Sequence, residues 1–228
     1  MAKARKILRR VRAVRNIRTV TKTMEMVSTA RFRQSMDRAT DLRGYSDRAA
    51  DLISDLVSRA DEEHPLEHPL IRGHEGMQPE VMLVLTSNRG LCGAYNHAVV
   101  RTALARMRQL AREGYEVRMQ VSGKKGASLL DGEGIEPERS FIAFDNQPTF
   151  ADVREIADDL IERFLSQDIG GLEVAYTQFV SASRQRPVIA QMLPLEYVEP
   201  EPRPPGEVEY LPYEFLPDRR ALLERLLP

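Results

Sequence analysis

The sequence predicts an α/β protein in two parts: a long N-terminal coiled-coil helix, followed by a domain with a mostly parallel sheet and helices on its faces. Three observations predict this fold. Residues 4–60 contain one helix breaker, Gly44, and their apolar side chains follow a helical spacing. From residue 80 onward, short β-type runs alternate with amphipathic helical runs. The first 38 residues hold 12 Lys or Arg and two acidic residues, in a chain of net charge −1.

The long helix is predicted from an apolar stripe whose members are three, four or seven residues apart. The stripe consists of Ile7, Val11, Val14, Ile17, Thr21, Met24 and Val27/Ser28, followed by Leu42, Ala49, Leu52 and Leu56. So narrow a stripe is typical of one strand of a coiled coil. At 1.5 Å per residue the helix would be about 85 Å long. We therefore expect it to span or to pair with another element.

The remaining elements are predicted from changes in periodicity and from turn residues. A connector over 61–79 contains two His-Pro pairs and two glycines, and separates helix 1–60 from an α/β domain over 80–199. The strands of that domain are expected at 81–87, 116–122, 140–144, 172–180 and 187–197, the last two antiparallel, and the helices at 95–113, 124–130 and 150–166, the last capped by Thr149. Residues 200–228 comprise a Pro/Glu-rich segment and the start of a final helix.

No pattern in the chain predicts an active site, a cofactor or a metal ion. The turn over 86–96 lacks the glycine spacing of dinucleotide and phosphate loops, so we interpret it as a tight turn of closely packed small residues. His64, His68 and His74 lie among prolines and are expected to be solvated. Cys92 has no nearby His or acid and is expected to be a packed, non-catalytic thiol. A single cysteine also fits a reducing compartment.

The basic N-terminal region is expected to meet an acidic partner. Residues 1–38 carry about +10 and the remainder about −11. A basic-zipper DNA-binding helix is polar all round, whereas here the apolar stripe runs through the basic region. A membrane-surface helix would carry larger apolar side chains, and the longest apolar run, 81–85, is too short to cross a bilayer. The pattern favours a coiled-coil strand beside an acidic protein surface.

Two long segments resemble the gamma subunit of F-type ATP synthases. The first is Asn16-Ile17-Arg18-Thr19-Val20-Thr21-Lys22-Thr23-Met24-Glu25-Met26-Val27-Ser28-Thr29-Ala30-Arg31, and the second is Thr86-Ser87-Asn88-Arg89-Gly90-Leu91-Cys92-Gly93-Ala94-Tyr95-Asn96. Residues 123–126 and 210–227 match two further blocks, and all four blocks follow the family order. The chain therefore resembles this family along its whole length.

The resemblance implies a non-catalytic rotor shaft. In the family, N- and C-terminal helices form an antiparallel coiled coil inside a ring of alpha and catalytic beta subunits. A Rossmann-like domain stands on the membrane ring of c subunits, beside the epsilon subunit. Such a chain would couple proton translocation to ATP synthesis and hydrolysis as a peripheral protein on the cytoplasmic face of a bacterial plasma membrane. It would bind no nucleic acid and would not insert into the bilayer.

The resemblance also implies roles for particular residues. Contacts with the catalytic subunits are expected from Arg18, Lys22, Met24, Met26, Arg31 and Arg33. The turn residues Asn88, Arg89, Gly90, Cys92 and Gly93 belong to the foot domain, and Arg89 is a candidate brace for the shaft. Tyr210 and Glu214 are expected to face the rotor ring and epsilon. Met24 and Met26 could equally be filler within the coiled coil.

Three departures from the family pattern leave an alternative open. Asn88 stands where the family has Asp, and Ala94 stands where it has Gly. The sequence ends at Pro228, where the family continues with a C-terminal helix. We therefore expect this helical partner to be missing from the sequence or supplied by another chain. The alternative function is that of a truncated gamma-like paralogue with an assembly or regulatory role; a nucleic-acid-binding protein is a more distant one.

Overall fold

The computed structural model describes residues 2–58, 68–74, 76, 78–142, 144, 148–181 and 183–195. The chain divides into two compact units, one containing the N-terminal helix and the other the α/β domain. Tyr210, Glu214, His64 and the predicted final helix lie outside the described residues. In the part of the chain that is described, no helix combines the length and apolarity needed to cross a membrane.

The first unit contains α1, which runs without interruption from Ala2 to Ser58. Its apolar stripe is exposed: Ile7 is 57 %, Val14 is 64 % and Ile17 is 64 % accessible to solvent. The continuous helix confirms the sequence prediction. Since most helices in globular domains are about 11–12 residues long, a helix of this length is not stabilised by a compact core.

The second unit is built on a five-stranded sheet in the order β3-β2-β1-β4-β5. The strands are β1 (Glu80–Leu85), β2 (Val117–Ser122), β3 (Arg139–Phe141), β4 (Gly171–Ser181) and β5 (Arg184–Leu193). The first four are parallel, and β5 is antiparallel to β4. The fold is the predicted mostly parallel, Rossmann-like α/β domain.

The helices cover the two faces of the sheet because the strand order reverses after β3. They are α2 (Pro69–Arg72), α3 (Tyr95–Arg112), α4 (Lys124–Gly132) and α5 (Phe150–Leu165). Right-handed crossovers place α3 and α4 on one face and α5 on the other. The main core packs Met82, Val84 and Val121 of the sheet against Val99 and Ala103 of α3.

The observed boundaries differ from the predicted ones by more than one residue at three strands. β5 runs from Arg184 to Leu193, so it begins three residues and ends four residues earlier than the predicted 187–197. β1 ends at Leu85 and β3 at Phe141, two and three residues earlier than expected. Beyond β1, the Thr86 N–H and the Thr86 hydroxyl both donate to the Ser122 carbonyl oxygen. At α5, the predicted Thr149 cap is confirmed as a capping box with Asp152. Hydrogen bonds from the Thr149 side chain and backbone lower the pKa of Asp152.

The connector histidines are not solvated loop residues, so that prediction is wrong for His68 and His74. His68 caps α2, its Nδ1 accepting a hydrogen bond from the Leu70 N–H at 3.3 Å. His74 donates from Nε2 to the Phe164 carbonyl oxygen at 2.6 Å and lies against that residue's ring, with centroids 4.4 Å apart. These contacts join the segment before β1 to α5, a connection between distant residues that sequence spacing does not reveal.

An ion-pair network fastens α5 and the start of β4 to β2 and to the residue before β3. Arg163 of α5 donates to both oxygens of Glu138 and to Asp168, which also accepts from Arg118 of β2. Gln120, fully buried, donates to Glu138 at 2.9 Å. Burial raises the pKa of Glu138, but the hydrogen bonds from Arg163 and Gln120 outweigh it and lower that pKa overall.

A second charged cluster lies at the same, amino-terminal end of β1 and β4 as this network, beside α3. The Arg106 Nε of α3 donates to both oxygens of the buried Glu173 of β4, each at 2.9 Å. Glu80 of β1 lines the same small cavity. Burial and repulsion from Glu173 raise the pKa of Glu80, against an opposing effect of Arg106. The ionised Glu80 carboxylate therefore opposes folding near neutral pH.

Two glycines of α4 give a matched test of packing. A Cβ at Gly126 would overlap Thr86 Oγ1 and Val121 Cγ2, whereas a Cβ at Gly132 would meet nothing within 4 Å. We expect Gly126→Ala to lower the free energy of unfolding by about 1–3 kcal/mol and Gly132→Ala to raise it by about 0.5–1 kcal/mol. Urea unfolding of the full chain measures both; equal effects would contradict this packing.

Glu80→Gln tests the second charged cluster through pH. Because the folded-state pKa of Glu80 is raised, the folded chain holds this proton more tightly, and the contribution to stability is lost as pH rises through that pKa. We expect Glu80→Gln to raise Tm at pH 7, with the difference shrinking toward pH 4. The control Glu155→Gln, on the exposed surface of α5, should show no such dependence. A pH-independent effect of Glu80→Gln would contradict the assignment.

Candidate interface surfaces

Helical geometry divides the six candidate contact residues of α1 between two opposite faces. At about 100° per residue, Arg18, Lys22, Met26 and Arg33 lie within about 80° of one another around the axis. Met24 and Arg31 lie about 160–220° away from the middle of that group. All six side chains are exposed. We call the first group, with Arg15, the basic face of α1.

Arg15 belongs to the basic face although it was not among the residues singled out from the sequence. It precedes Arg18 by three residues and Lys22 by seven, both of which are spacings that return to the same side of a helix. A wheel projection of the sequence would have found it. The two methionines are separated by the same geometry: Met24 continues the apolar stripe, whereas Met26 lies among the cations.

The hydroxyl groups of Thr19, Thr21 and Thr23 form hydrogen bonds with the backbone of α1. Each Oγ1 donates to the carbonyl oxygen four residues earlier, at 2.9–3.1 Å. This bond competes with the backbone ladder and slightly weakens and bends helices. These bonds therefore lower the intrinsic helix stability of the section of α1 beside Arg18 and Lys22.

The second candidate surface is the turn after β1, at the carboxyl edge of the parallel strands. Its position is the switch point of the sheet, because α3 leads from β1 to β2 on one side while β4 lies on the other. Asn96 of α3 organises the turn: its Oδ1 accepts from the Ser87 N–H at 2.9 Å. Its Nδ2 donates to the Ser87 hydroxyl at 3.0 Å.

Asn88 joins the turn to the two neighbouring turns at the same edge. Its Nδ2 donates to the carbonyl oxygens of Ile142 and Phe144, both at 3.1 Å, and its Oδ1 accepts from the Lys124 N–H at 2.8 Å. The two carbonyl partners fix the orientation of the amide, because a carbonyl oxygen requires a donor. Asn88 is thus a structural clamp between the segment after β3 and the start of α4.

The glycines of the turn are not closely packed, which corrects the sequence interpretation. Gly90 meets only Lys125 Cε at 3.8 Å, and Gly93 meets nothing within 4 Å but has φ +60°. The close approach lies across the turn, where Gly123, at φ +102°, packs on the Thr86 backbone. The small residues here therefore serve backbone conformation at Gly93 and packing at Gly123.

Leu91 is the exposed tip of the turn, and the sequence interpretation missed it. Its side chain is 93 % exposed and its φ is +64°, a conformation that bulky residues rarely adopt. Backbone strain of this kind persists where the surroundings impose it, often at functional surfaces. Arg89 is also exposed, and no carboxylate within the described ranges pairs with it.

Cys92 is exposed rather than packed, contrary to the sequence prediction. Its Sγ accepts from Asn96 Nδ2 at 3.2 Å and lies 3.8 Å from the Ser87 hydroxyl. Neither an amide nor a hydroxyl acts as a general base at neutral pH. Among the described residues, no group of three or more His, Cys, Asp or Glu side chains is arranged to hold a metal ion.

Comparisons with known proteins match the chain along its whole length. A family model described as "ATP synthase" matches residues 3–228. The ATP synthase gamma chain of Rhodopirellula baltica is 38% identical over 231 residues, covering 100% of this chain and 77% of the relative. The gamma chain of Leptospira biflexa is 32% identical over 228 residues, with the same coverage. The central stalk/c-ring structure of Tetrahymena thermophila mitochondrial ATP synthase matches 77% of this chain and 72% of its own, with TM-score 0.52 and 19% identity.

This chain shares with that structure a fold that comprises a long basic helix and a Rossmann-like α/β domain. The family match and the relatives that span the whole chain place it more narrowly: the chain belongs to the ATP synthase gamma-chain family.

The clamp role of Asn88 is tested by comparing Asn88→Asp with Asn88→Ala. A carboxylate still accepts from Lys124 N–H at the start of α4 but cannot donate to Ile142 or Phe144. The Ile142 carbonyl is exposed and the Phe144 carbonyl partly buried, so the loss of each hydrogen bond costs about 0.5–1.5 kcal/mol. In hydrogen exchange, Asn88→Asp should loosen residues 139–144 and spare the start of α4, whereas Asn88→Ala should loosen both. Exchange rates equal to those of the unmodified chain in both segments of Asn88→Asp would contradict the role of Asn88 as a clamp.

Proposed function

We propose that the chain is the rotating central shaft of an ATP synthase, coupling proton translocation through the membrane sector to ATP synthesis and hydrolysis on catalytic beta subunits. The chain itself is non-catalytic. Similarity to gamma chains along its entire length supports this assignment. The observation that carries it is the division of α1 into an apolar stripe and a separate basic face.

The two faces of α1 suit a shaft because each contacts a different kind of partner. The exposed stripe, with Ile17 64 % and Met24 47 % accessible, is the side that pairs with a second helix. The basic face remains outward, where cations attract an acidic protein surface over several ångströms without demanding one contact geometry. A surface that meets three neighbours in turn requires attraction of this undirected kind.

The partners follow from this assignment. Alpha and beta subunits surround α1, with Arg18, Lys22 and Arg33 facing acidic segments and Met26 adapting between them. The α/β domain contacts the epsilon subunit and the c ring, through the region of Tyr210 and Glu214. The chain is then a peripheral protein on the cytoplasmic face of a bacterial plasma membrane.

The turn after β1 is a further contact of the rotating unit. Leu91 offers an apolar tip, and Arg89 next to it a cation. The Asn88 clamp and the Asn96 bonds hold this tip rigidly, so that force applied there reaches the sheet instead of deforming the loop.

Rotation tests the proposal directly. The chain is assembled with the alpha and beta subunits of its own organism and a bead is attached to the α/β domain. We expect ATP-driven rotation. Arg18→Ala/Lys22→Ala should reduce ATP-driven torque, and weaken association by about 3- to 10-fold, since each exposed ion pair contributes about 0.2–1 kcal/mol. The reduction in torque and in association caused by this double substitution should be smaller at high salt.

The matched control is Lys6→Ala/Arg9→Ala, which removes the same charge from the other side of α1. It should leave torque within about twofold of the unmodified chain. Assembly without rotation would overturn the shaft function and favour an assembly role. Equal losses in both double variants would overturn the role of the basic face.

A further inference from the structure

A groove between α3 and α4 lies on the outer side of the α/β domain and takes no part in the surfaces described above. Its volume is about 390 Å³. Its floor is apolar, formed by Ala98 and Leu104 of α3 and Leu129 of α4. Arg101 and Arg108 of α3 form one wall, and the lining also includes one acidic residue, Glu133. An apolar floor with a charged wall is the composition of a protein-binding groove.

The wall is basic because α3 holds four arginines and no acidic residue between Tyr95 and Arg112. This is a local excess, since residues 39–228 carry about −11. His97, Arg101, Arg108 and Arg112 lie within about 60° of one another around the helix. The cations therefore form one row along α3, about three turns long between His97 and Arg108.

The arginines of this row differ from those elsewhere in the domain. Arg106, on another side of α3, is bound to Glu173 through both carboxylate oxygens. Within the described residues, no carboxylate oxygen lies within 4.0 Å of Arg101. Arg108 reaches Glu133 only at 3.8 Å, and both side chains are more than half exposed. The row is thus available to carboxylates of another molecule.

We propose that the α3–α4 groove binds an acidic amphipathic helix of a protein partner. Aliphatic side chains at positions i, i+4 and i+7 of that helix, which span about two turns, enter the groove over Ala98, Leu104 and Leu129. Glu and Asp side chains flanking this stripe pair with Arg101 and Arg108, whose planar guanidinium groups bind carboxylates bidentately. The apolar anchors supply affinity, and the ion pairs fix orientation.

A protein helix fits better than an anionic lipid headgroup. A phosphate needs donors that converge on one point, whereas these cations are spread along about 16 Å of α3. The floor between them is apolar and shaped by two adjacent helices, into which a third helix packs at the usual 8–10 Å separation. This proposal concerns a different surface from the shaft function and does not depend on it.

Photo-crosslinking in the assembled complex tests the proposal. The crosslinking residue benzoylphenylalanine replaces Leu129 in the groove or, as a control, Glu155 on the exposed face of α5. From Leu129 we expect a crosslink to one peptide that is net acidic and has apolar residues at helical spacing. Arg101→Glu/Arg108→Glu should reduce its yield at least tenfold, while Arg154→Glu/Arg184→Glu, an equal charge reversal elsewhere, should leave it within twofold.

The other outcomes overturn the proposal. These are a peptide without acidic excess or helical spacing, lipid as the crosslinked species, a yield from Leu129 no higher than from Glu155, or equal loss in both charge-reversed variants. Circular dichroism confirms that each variant is folded. Rotation measured on the same Arg101→Glu/Arg108→Glu complexes separates the two proposals, because failure of the groove leaves the shaft function intact.

Discussion

The hydroxyl of Thr86 is the interaction on which the α/β domain's carboxyl edge depends. It donates to the Ser122 carbonyl oxygen at 2.7 Å and accepts the Gly126 N–H at 3.0 Å. One side chain at the end of β1 thereby ties the end of β2 to the first turn of α4. The close packing that results leaves no room for a Cβ at Gly126 or Gly123. It sets where α4 begins, hence where Asn88 finds the Lys124 N–H and how α4 lies beside α3 to form the groove.

The N-terminal helix is stabilised differently, because a single helix has no hydrophobic core of its own. Its apolar stripe is exposed along the described length, so most of its stabilisation must come from pairing rather than from intrinsic helix propensity. The β-branched run from Thr19 to Thr23, with hydroxyls bonded back to the helix, lowers that propensity further. The lowered helix propensity falls in the section that carries Arg18 and Lys22, where contacts with neighbours are proposed to change during rotation.

Structural features that depend on the spacing of nearby residues could be predicted from the sequence. The stripe of α1, the Thr149 cap and the antiparallel pair β4–β5 all follow from periodicity or from turn residues, and the structure confirms them. The features it could not reveal join residues far apart in the chain. Arg106 and Glu173 are 67 positions apart, His74 and Phe164 are 90 apart, and Asn88 reaches across 54 positions to Ile142. The early end of β3 has the same origin, since the Asn88 side chain occupies the Ile142 carbonyl oxygen that a longer strand would use.

The placement of charge relative to apolar surface distinguishes the two proposed binding surfaces. On α1 the cations and the apolar stripe lie on different sides, so a partner drawn by the charge gains little apolar burial and is held by forces that are long-range and readily screened. Along α3 the cations border an apolar floor, so one partner can bury aliphatic side chains and pair its carboxylates at once. The first arrangement permits a neighbour to move along the surface, and the second holds it in a single register. The proposed rotor role needs both kinds of surface, one for the subunits against which the chain would turn and one for a partner that would turn with it.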